Sequence, residues 1–180
     1  MIRTRVTGVK GHTPKKKVIL IFGEDPNDCK SLKHLVQALK PNGCPSVETI
    51  RRPIILSQQA APRKREAMCE EISKAVKAKN ITSQVVSVIA HRDCDAVEPA
   101  HRTNSTRLLK DMRTHNLPQP VAATPAFEIE AWWFLWPGAV AKTRACWKSL
   151  KPPQYVGKMF EPQETIAADA SPKRRKNELS

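Results

Sequence analysis

Two short apolar segments place the strongest constraint on what this chain can fold into. The first, VILIF at residues 18–22, is bounded by a lysine and a glycine, and the second, VVSVIA at residues 85–90, is rich in valine and isoleucine. Continuous apolar runs of this length are typical of strands that are buried on both faces, as in a parallel sheet. We therefore expect both segments to lie inside a sheet that is covered by helices.

The rest of the chain shows a regular alternation of helical and extended patterns. Apolar residues at helical spacing predict three helices, over residues 28–40, 62–80 and 99–116. Two weaker strands are predicted, near residues 47–51 and over residues 120–126. FEIEAWWFLW at residues 127–136 predicts a largely buried helix with a break at the following Pro-Gly pair. This order predicts an α/β fold, a mainly parallel four-stranded sheet with helices on both faces.

The length of 180 residues favours a single well-buried domain. We assign it to residues 17–150, after a basic leader at 1–16 and before a Pro-rich and then basic segment at 151–180 that we expect to be partly disordered. No apolar run approaches the roughly 20 residues of a membrane span. The five cysteines are widely spaced without a CxxC pair, which argues against a zinc site and favours a cytoplasmic protein with free thiols.

Positive charge is the feature of the composition that bears on partners. Lys and Arg number 31 against 17 Asp and Glu, which gives a net charge of +14. Basic runs occur at residues 15–17, 51–52, 63–65 and 173–176. Such a balance predicts a polyanionic partner, and nucleic acid is the commonest one. Any single run has a simpler interpretation as a solvated surface or tail.

Negative charge is concentrated where the two apolar strands end. Glu24, Asp25 and Asp28 follow the first strand, while Asp93 and Asp95 follow the second. If these strands are neighbours about 5 Å apart, their carboxylates converge on one edge of the sheet and repel each other unless a cation compensates. A hard divalent ion, Mg²⁺ or Mn²⁺, is the natural ligand. In the alternative interpretation, Asp28 caps a helix and carries no metal.

Two further carboxylates, Glu128 and Glu130, lie in the apolar segment EIEAWW. A buried carboxylate is costly unless a cation pairs with it. At a spacing of two on a helix the two side chains diverge, so we expect only one, Glu130, to face the acidic site. An ion pair between Glu130 and an arginine is the alternative, and the tryptophans are expected to be core residues.

The segment VILIFGEDPND, followed about sixty residues later by VIAHRDCD and then by EIEAWW, resembles the TOPRIM domain. The resemblance is to the small defence-associated TOPRIM nucleases of the OLD-like and RloB-like groups, and it covers residues 17–136. It implies a glutamate that acts as general acid/base or metal ligand, here Glu24, and a DxD pair of metal ligands, here Asp93 and Asp95. Asp28 matches the acidic residue four places after the glutamate. Asp25 departs from the pattern, which has glycine there.

The resemblance implies a metal-dependent nuclease, an effector of defence against phage that works with an ATPase partner. Four basic residues are candidates to hold the nucleic acid, with DNA favoured over RNA: Arg63, Lys64, Arg65 and Arg92. His91 either joins them or is a satisfied histidine at a strand end. The chain has a single tyrosine, Tyr155 in a Pro-rich stretch, which argues against a topoisomerase. A non-catalytic nucleic-acid-binding or regulatory subunit with a degenerate pocket is the alternative, and a homo-oligomer is compatible with either.

Overall fold

The fold is a four-stranded parallel sheet with helices on both faces. The computed structural model describes residues 14–50 and 61–136, together with residues 138 and 142. Four strands are formed by Lys17–Gly23 (β1), Ser46–Thr49 (β2), Gln84–His91 (β3) and Pro120–Ala123 (β4). Three α-helices follow β1, β2 and β3 in turn: Pro26–Leu39 (α1), Pro62–Thr82 (α2) and Ala100–Thr114 (α3). The predicted α/β class and parallel sheet are confirmed.

The strand order is β2-β1-β3-β4, so the two apolar strands are neighbours at the centre of the sheet. All three pairings are parallel, and Gly23 lies opposite His91, which in turn lies opposite Ala123. The carboxyl ends of β1, β3 and β4 are therefore level. From β1 the chain first adds β2 on one side of β1, and it then adds β3 and β4 on the other side. This reversal between β1 and β3 is the position at which parallel sheets commonly bind ligands.

Alternate residues of the central strands pack into two separate cores. Val18, Leu20 and Phe22 face α2 and α3, where Ile72 and Met112 are fully buried. On the opposite face α1 packs on a second core, whose members include Ile21, Leu32, Val47, Ile89 and Ile129. Because both faces are covered, β1 and β3 have no polar side and read as continuous apolar runs.

Several predicted elements differ from the structure in their bounds, including β4, which ends at Ala123 and not at residue 126, and two differences bear on the site. Helix α1 begins two residues earlier than expected because the Asp25 side chain caps it by accepting a hydrogen bond from the Asn27 backbone N–H at 2.6 Å. The segment Ile129–Leu135 is a 3-10 helix and not the predicted α-helix. The predictions for the chain before residue 14, for residues 51–60, for the break at Pro137 and for the segment after residue 142 lie outside the described residues.

Among the residues that the structure describes, none of the helices combines the length and apolar character needed to cross a bilayer.

Ion pairs connect some of the elements that pack against each other. Arg65 of α2 donates to the Asp111 carboxylate of α3 at 3.0 Å, and Lys79 contacts Glu48 of β2 at 2.6 Å. The first pair is partly buried and fixes the two helices that cover one face of the sheet.

Gly23 allows α1 to approach the ends of β1 and β3 closely. A Cβ atom added there would lie 2.7 Å from the Cys29 Sγ and 3.4 Å from the His91 carbonyl oxygen. Cys29 is buried, and burial raises the pKa of its thiol to about 11, so the sulfur is a neutral packing atom. A residue larger than glycine would therefore push α1 away from the sheet.

We expect Gly23→Ala to lower the free energy of unfolding by about 1–3 kcal/mol, as is typical of overpacking. The physical reason is the Sγ contact, so the cost should fall by about 1 kcal/mol when Ala is introduced into a Cys29→Ala background. Urea unfolding of the four proteins of this double-mutant cycle measures the difference. Equal costs in both backgrounds would contradict the proposed contact.

Candidate metal centre

Three side chains converge outside the carboxyl ends of β1 and β3. Asp28, in the first turn of α1, and His91 and Asp93, at the end of β3, each offer one oxygen or nitrogen atom within 4.8 Å of the other two. We call these three residues the triad. Asp28 reaches this position because the Asp25 cap starts α1 directly after β1. His91 and Asp93 reach it because residues two apart on an extended chain project from the same face.

His91 is the most buried member of the triad, with a side chain only 1% exposed. Burial lowers the pKa of its imidazole to about 4, so the ring is neutral near pH 7. Its Nε2 lies 3.7 Å from the Asp93 Oδ1, which is too long for a hydrogen bond, and it makes no hydrogen bond to any other described residue. A neutral imidazole nitrogen aimed at two carboxylates is suited to bind a cation.

The two carboxyl groups of the triad are held in an environment that favours their protonated forms. Burial is the largest cause of both shifts, raising the pKa of Asp28 to about 6 and that of Asp93 to about 7. Nearby carboxylates add to each shift, with Glu130 and Glu128 acting on both. Accumulated negative charge in a partly buried position is the electrostatic arrangement that a bound cation relieves.

Glu128 and Glu130 both lie near the triad, contrary to the prediction that only one would. Glu128 precedes the 3-10 helix in an extended conformation, with φ −140° and ψ 168°. Glu130 lies in the 3-10 helix and Glu128 precedes it, so the spacing of a regular α-helix does not apply to this pair. Both glutamates act on the pKa values of Asp28 and Asp93, and neither belongs to the triad.

Glu24 and Asp95 are exposed and lie outside the triad. Glu24 directly follows Gly23 and adds to the raised pKa of Asp28. Asp95 lies beyond the end of β3, where φ is +43° and the chain has left the extended conformation. The chain therefore does not stay extended through Asp95, although the charge of Asp95 still adds to the raised pKa of Asp93. The residue that shares a face with Asp93 is His91, two positions earlier instead of two positions later.

Asp25 stands where the TOPRIM pattern has glycine, and its backbone conformation does not require glycine. Its φ of −107° and ψ of 135° are extended values that any residue adopts, and its side chain serves as the α1 cap. The capping role that the sequence left open for Asp28 belongs to Asp25. The Asp28 carboxylate is therefore available to form the triad with His91 and Asp93.

The four predicted nucleic-acid contacts divide into exposed and internal residues. Arg63 and Lys64 are exposed in the first turn of α2, and Arg65 is partly buried in its ion pair with Asp111. Arg92 is 4% exposed and lies on the opposite side of β3 from Asp93, near Met68, Leu108 and the other residues between α2 and α3. From this internal position it does not present its guanidinium to a phosphate at the surface, so we correct its assignment.

The donor set of the triad fits a divalent cation. Ligand atoms that share one ion about 2.0–2.2 Å away lie about 3–4 Å apart. The 3.7 Å between His91 Nε2 and Asp93 Oδ1 is within this range, and the 4.8 Å limit for the whole triad requires only small side-chain adjustments. Carboxylate oxygens suit Mg²⁺ and Mn²⁺, and the imidazole shifts preference toward first-row transition metals.

Comparison with known proteins gives no family for this chain. No family model matches it, and no curated protein or solved structure is significantly similar. The TOPRIM resemblance therefore stays a prediction from short motifs.

In metal-free buffer with EDTA at about pH 8, we expect Asp93→Asn to raise the free energy of unfolding by about 1–2 kcal/mol. The gain is small because solvent screens the Asp93 carboxylate, whose side chain is 33% exposed. The unfolded carboxyl has a pKa near 3.9 and the folded one a pKa of about 7, so the wild type loses stability as pH rises between these values. The advantage of the variant should therefore disappear below about pH 4.

Urea unfolding at both pH values measures this difference. Asp95→Asn is the matched control, because its side chain is exposed and asparagine accepts the positive φ at that position. A gain in Asp95→Asn as large as that in Asp93→Asn would contradict the electrostatic description of the triad.

Proposed function

We propose that the protein is a divalent-metal-dependent nuclease that hydrolyses phosphodiester bonds, with the triad as its metal centre. The single observation that carries the proposal is the convergence of Asp28, His91 and Asp93 within 4.8 Å at the reversal point of the sheet. The net charge of +14 supports a polyanionic substrate. The TOPRIM resemblance of the sequence adds the same expectation independently of the geometry.

Each residue near the triad has a role that follows from its position. Asp28, His91 and Asp93 would hold the cation, and Glu128 and Glu130 are candidates to bind its water ligands or a second ion. Hydrolysis forms a bond between a water oxygen and phosphorus and breaks the bond to one sugar oxygen, which takes up a proton. Glu24, exposed beside the triad, is the candidate to accept the proton of the attacking water. A bound cation would lower the pKa of water and neutralise phosphoryl charge.

The broader parts of the proposal rest on the sequence. Arg63 and Lys64, exposed at the start of α2, remain candidates for contacts to the phosphate backbone. The role in defence against phage, the ATPase partner, the homo-oligomer and the preference for DNA come from the resemblance alone. A non-catalytic nucleic-acid-binding subunit remains the second candidate, favoured by the position of Glu24 outside the triad.

Metal binding tests the centre without depending on activity. We expect Mn²⁺ to raise the melting temperature of the wild type at lower concentration than Mg²⁺, because His91 contributes a nitrogen ligand. Asp93→Asn should abolish the shift, and His91→Gln should remove the preference for Mn²⁺. Differential scanning fluorimetry measures each response. Wild-type protein that melts at the same temperature with and without Mn²⁺ would overturn the metal centre.

Cleavage tests the proposed reaction. Nicking of a supercoiled plasmid and cleavage of labelled RNA, each in Mn²⁺, should fall at least about 100-fold in Asp93→Asn and in Glu24→Gln. Glu70→Gln, an exposed carboxylate on α2, is the matched control and should cleave like the wild type. Equal cleavage by wild type and Asp93→Asn would exclude this centre. Binding without cleavage would favour the second candidate.

A further inference from the structure

The exposed face of α3 carries positive charge that neither the motifs nor the metal centre explains. Its solvent-exposed cations are Arg102, Arg107, Lys110 and Arg113. The carboxylate of the same helix, Asp111, is turned toward α2 and pairs with Arg65. Arg102 also donates from Nη2 to the Glu98 carboxylate at 2.9 Å, and this ion pair holds the first of the four cations in place. The outward face of α3 is therefore cationic over three helical turns.

Two hollows lie along this helix and share residues. One, of about 470 Å³, is lined by α3 alone, through Arg102, Thr103, Thr106, Arg107 and Lys110. We call these five residues the α3 surface. It extends about 12 Å along the helix axis from its first to its last member. Cations alternating with hydroxyl groups can bind consecutive phosphates by charge and by hydrogen bonds.

The second hollow, of about 510 Å³, continues from the α3 surface over the edge of the sheet. Arg102 and Thr106 belong to both, and the second is completed by β4 and by Trp132 of the 3-10 helix. We call it the edge groove. Trp132 packs partly against the core, and its remaining surface lines the groove. The groove therefore joins a cationic helix to an aromatic side chain.

The edge groove leads toward the triad. Its lining includes Ala123 of β4, which is the residue opposite His91 in the sheet. Trp132 and Glu130 lie on the same 3-10 helix, Ile129–Leu135, which packs against the core on the side of His91 and Ile89. A chain that follows the α3 surface and crosses β4 thus arrives at the metal centre.

We propose that the α3 surface and the edge groove form the binding site for a single-stranded nucleic acid, held by its phosphates on α3 and by base stacking on Trp132. The inference rests on the proposed function, since it supplies the substrate site of the same centre. A cationic groove with an aromatic side chain is the usual combination for single strands, whose bases are free to stack. A duplex keeps its bases inside and offers no face to Trp132.

Fluorescence anisotropy with labelled oligonucleotides of about 12 nucleotides tests the site, using single-stranded DNA, single-stranded RNA and a duplex. Measurements in EDTA separate strand binding from catalysis, so a protein that binds strands without cleaving them fails the proposed function alone. We expect the double variant Arg107→Glu with Lys110→Glu to weaken single-strand binding at least about tenfold. The slope of log affinity against log salt should fall by about 1.4. Replacing both residues with Gln should give a smaller loss of the same kind.

Lys74→Glu with Lys77→Glu is the matched control. It makes the same change of charge at exposed positions of α2, in the half of the helix that ends beside the start of β3. Circular dichroism melts check that both variants are folded. Wild-type protein that binds no strand, equal losses in the two double variants, or tighter binding of the duplex through Arg107 and Lys110 would each overturn the proposal.

Discussion

The pairing of β1 with β3 is the interaction on which the rest of the molecule depends. These strands are buried on both faces, so their backbone hydrogen bonds and two sets of apolar contacts form together. Their register sets Gly23 against His91, and the absent side chain of Gly23 lets Cys29 pack above that point. The same close approach brings the first turn of α1, and with it Asp28, over the end of β3. The geometry of the triad is thus a consequence of how tightly the centre of the sheet is packed.

The carboxylates at this edge oppose the stability that the core provides. Asp28 and Asp93 are each partly buried among other acidic groups, and their pKa values rise because ionisation there is unfavourable. Binding sites commonly keep such charge in place at a cost to the unliganded fold. Here the cost falls at the carboxyl ends of β1 and β3, the two strands that are packed on both faces. A cation would convert the repulsion into binding energy.

The sequence predicted the strands, the helices and the edge where the acids meet, because continuous apolar runs and helical spacing report burial directly. It missed His91 as a metal ligand because the motif drew attention to Asp93 and Asp95, while the chain leaves the extended conformation at Asp95. The alternation of residues along β3 was the available signal, since His91 and Asp93 share its spacing. Glu128 was missed because EIEAWW was treated as a regular helix. Arg92 was misplaced because a charged residue next to an acidic motif is expected at the surface, whereas here it enters the interior on the other face.

The order His91-Arg92-Asp93 has a consequence for how this part of the chain can vary. On an extended segment, odd and even positions face opposite sides, so a shift of one residue exchanges them. A single deletion within β3 would bring the Arg92 guanidinium into the position of the His91 imidazole and send the Asp93 carboxylate toward Met68 and Leu108. The pocket would then attract anions, and the opposite core would hold an unpaired acid. The length of β3 is therefore as tightly constrained as its composition. A loop can accept a one-residue insertion or deletion, but the same change within β3 would reverse the polarity of the site.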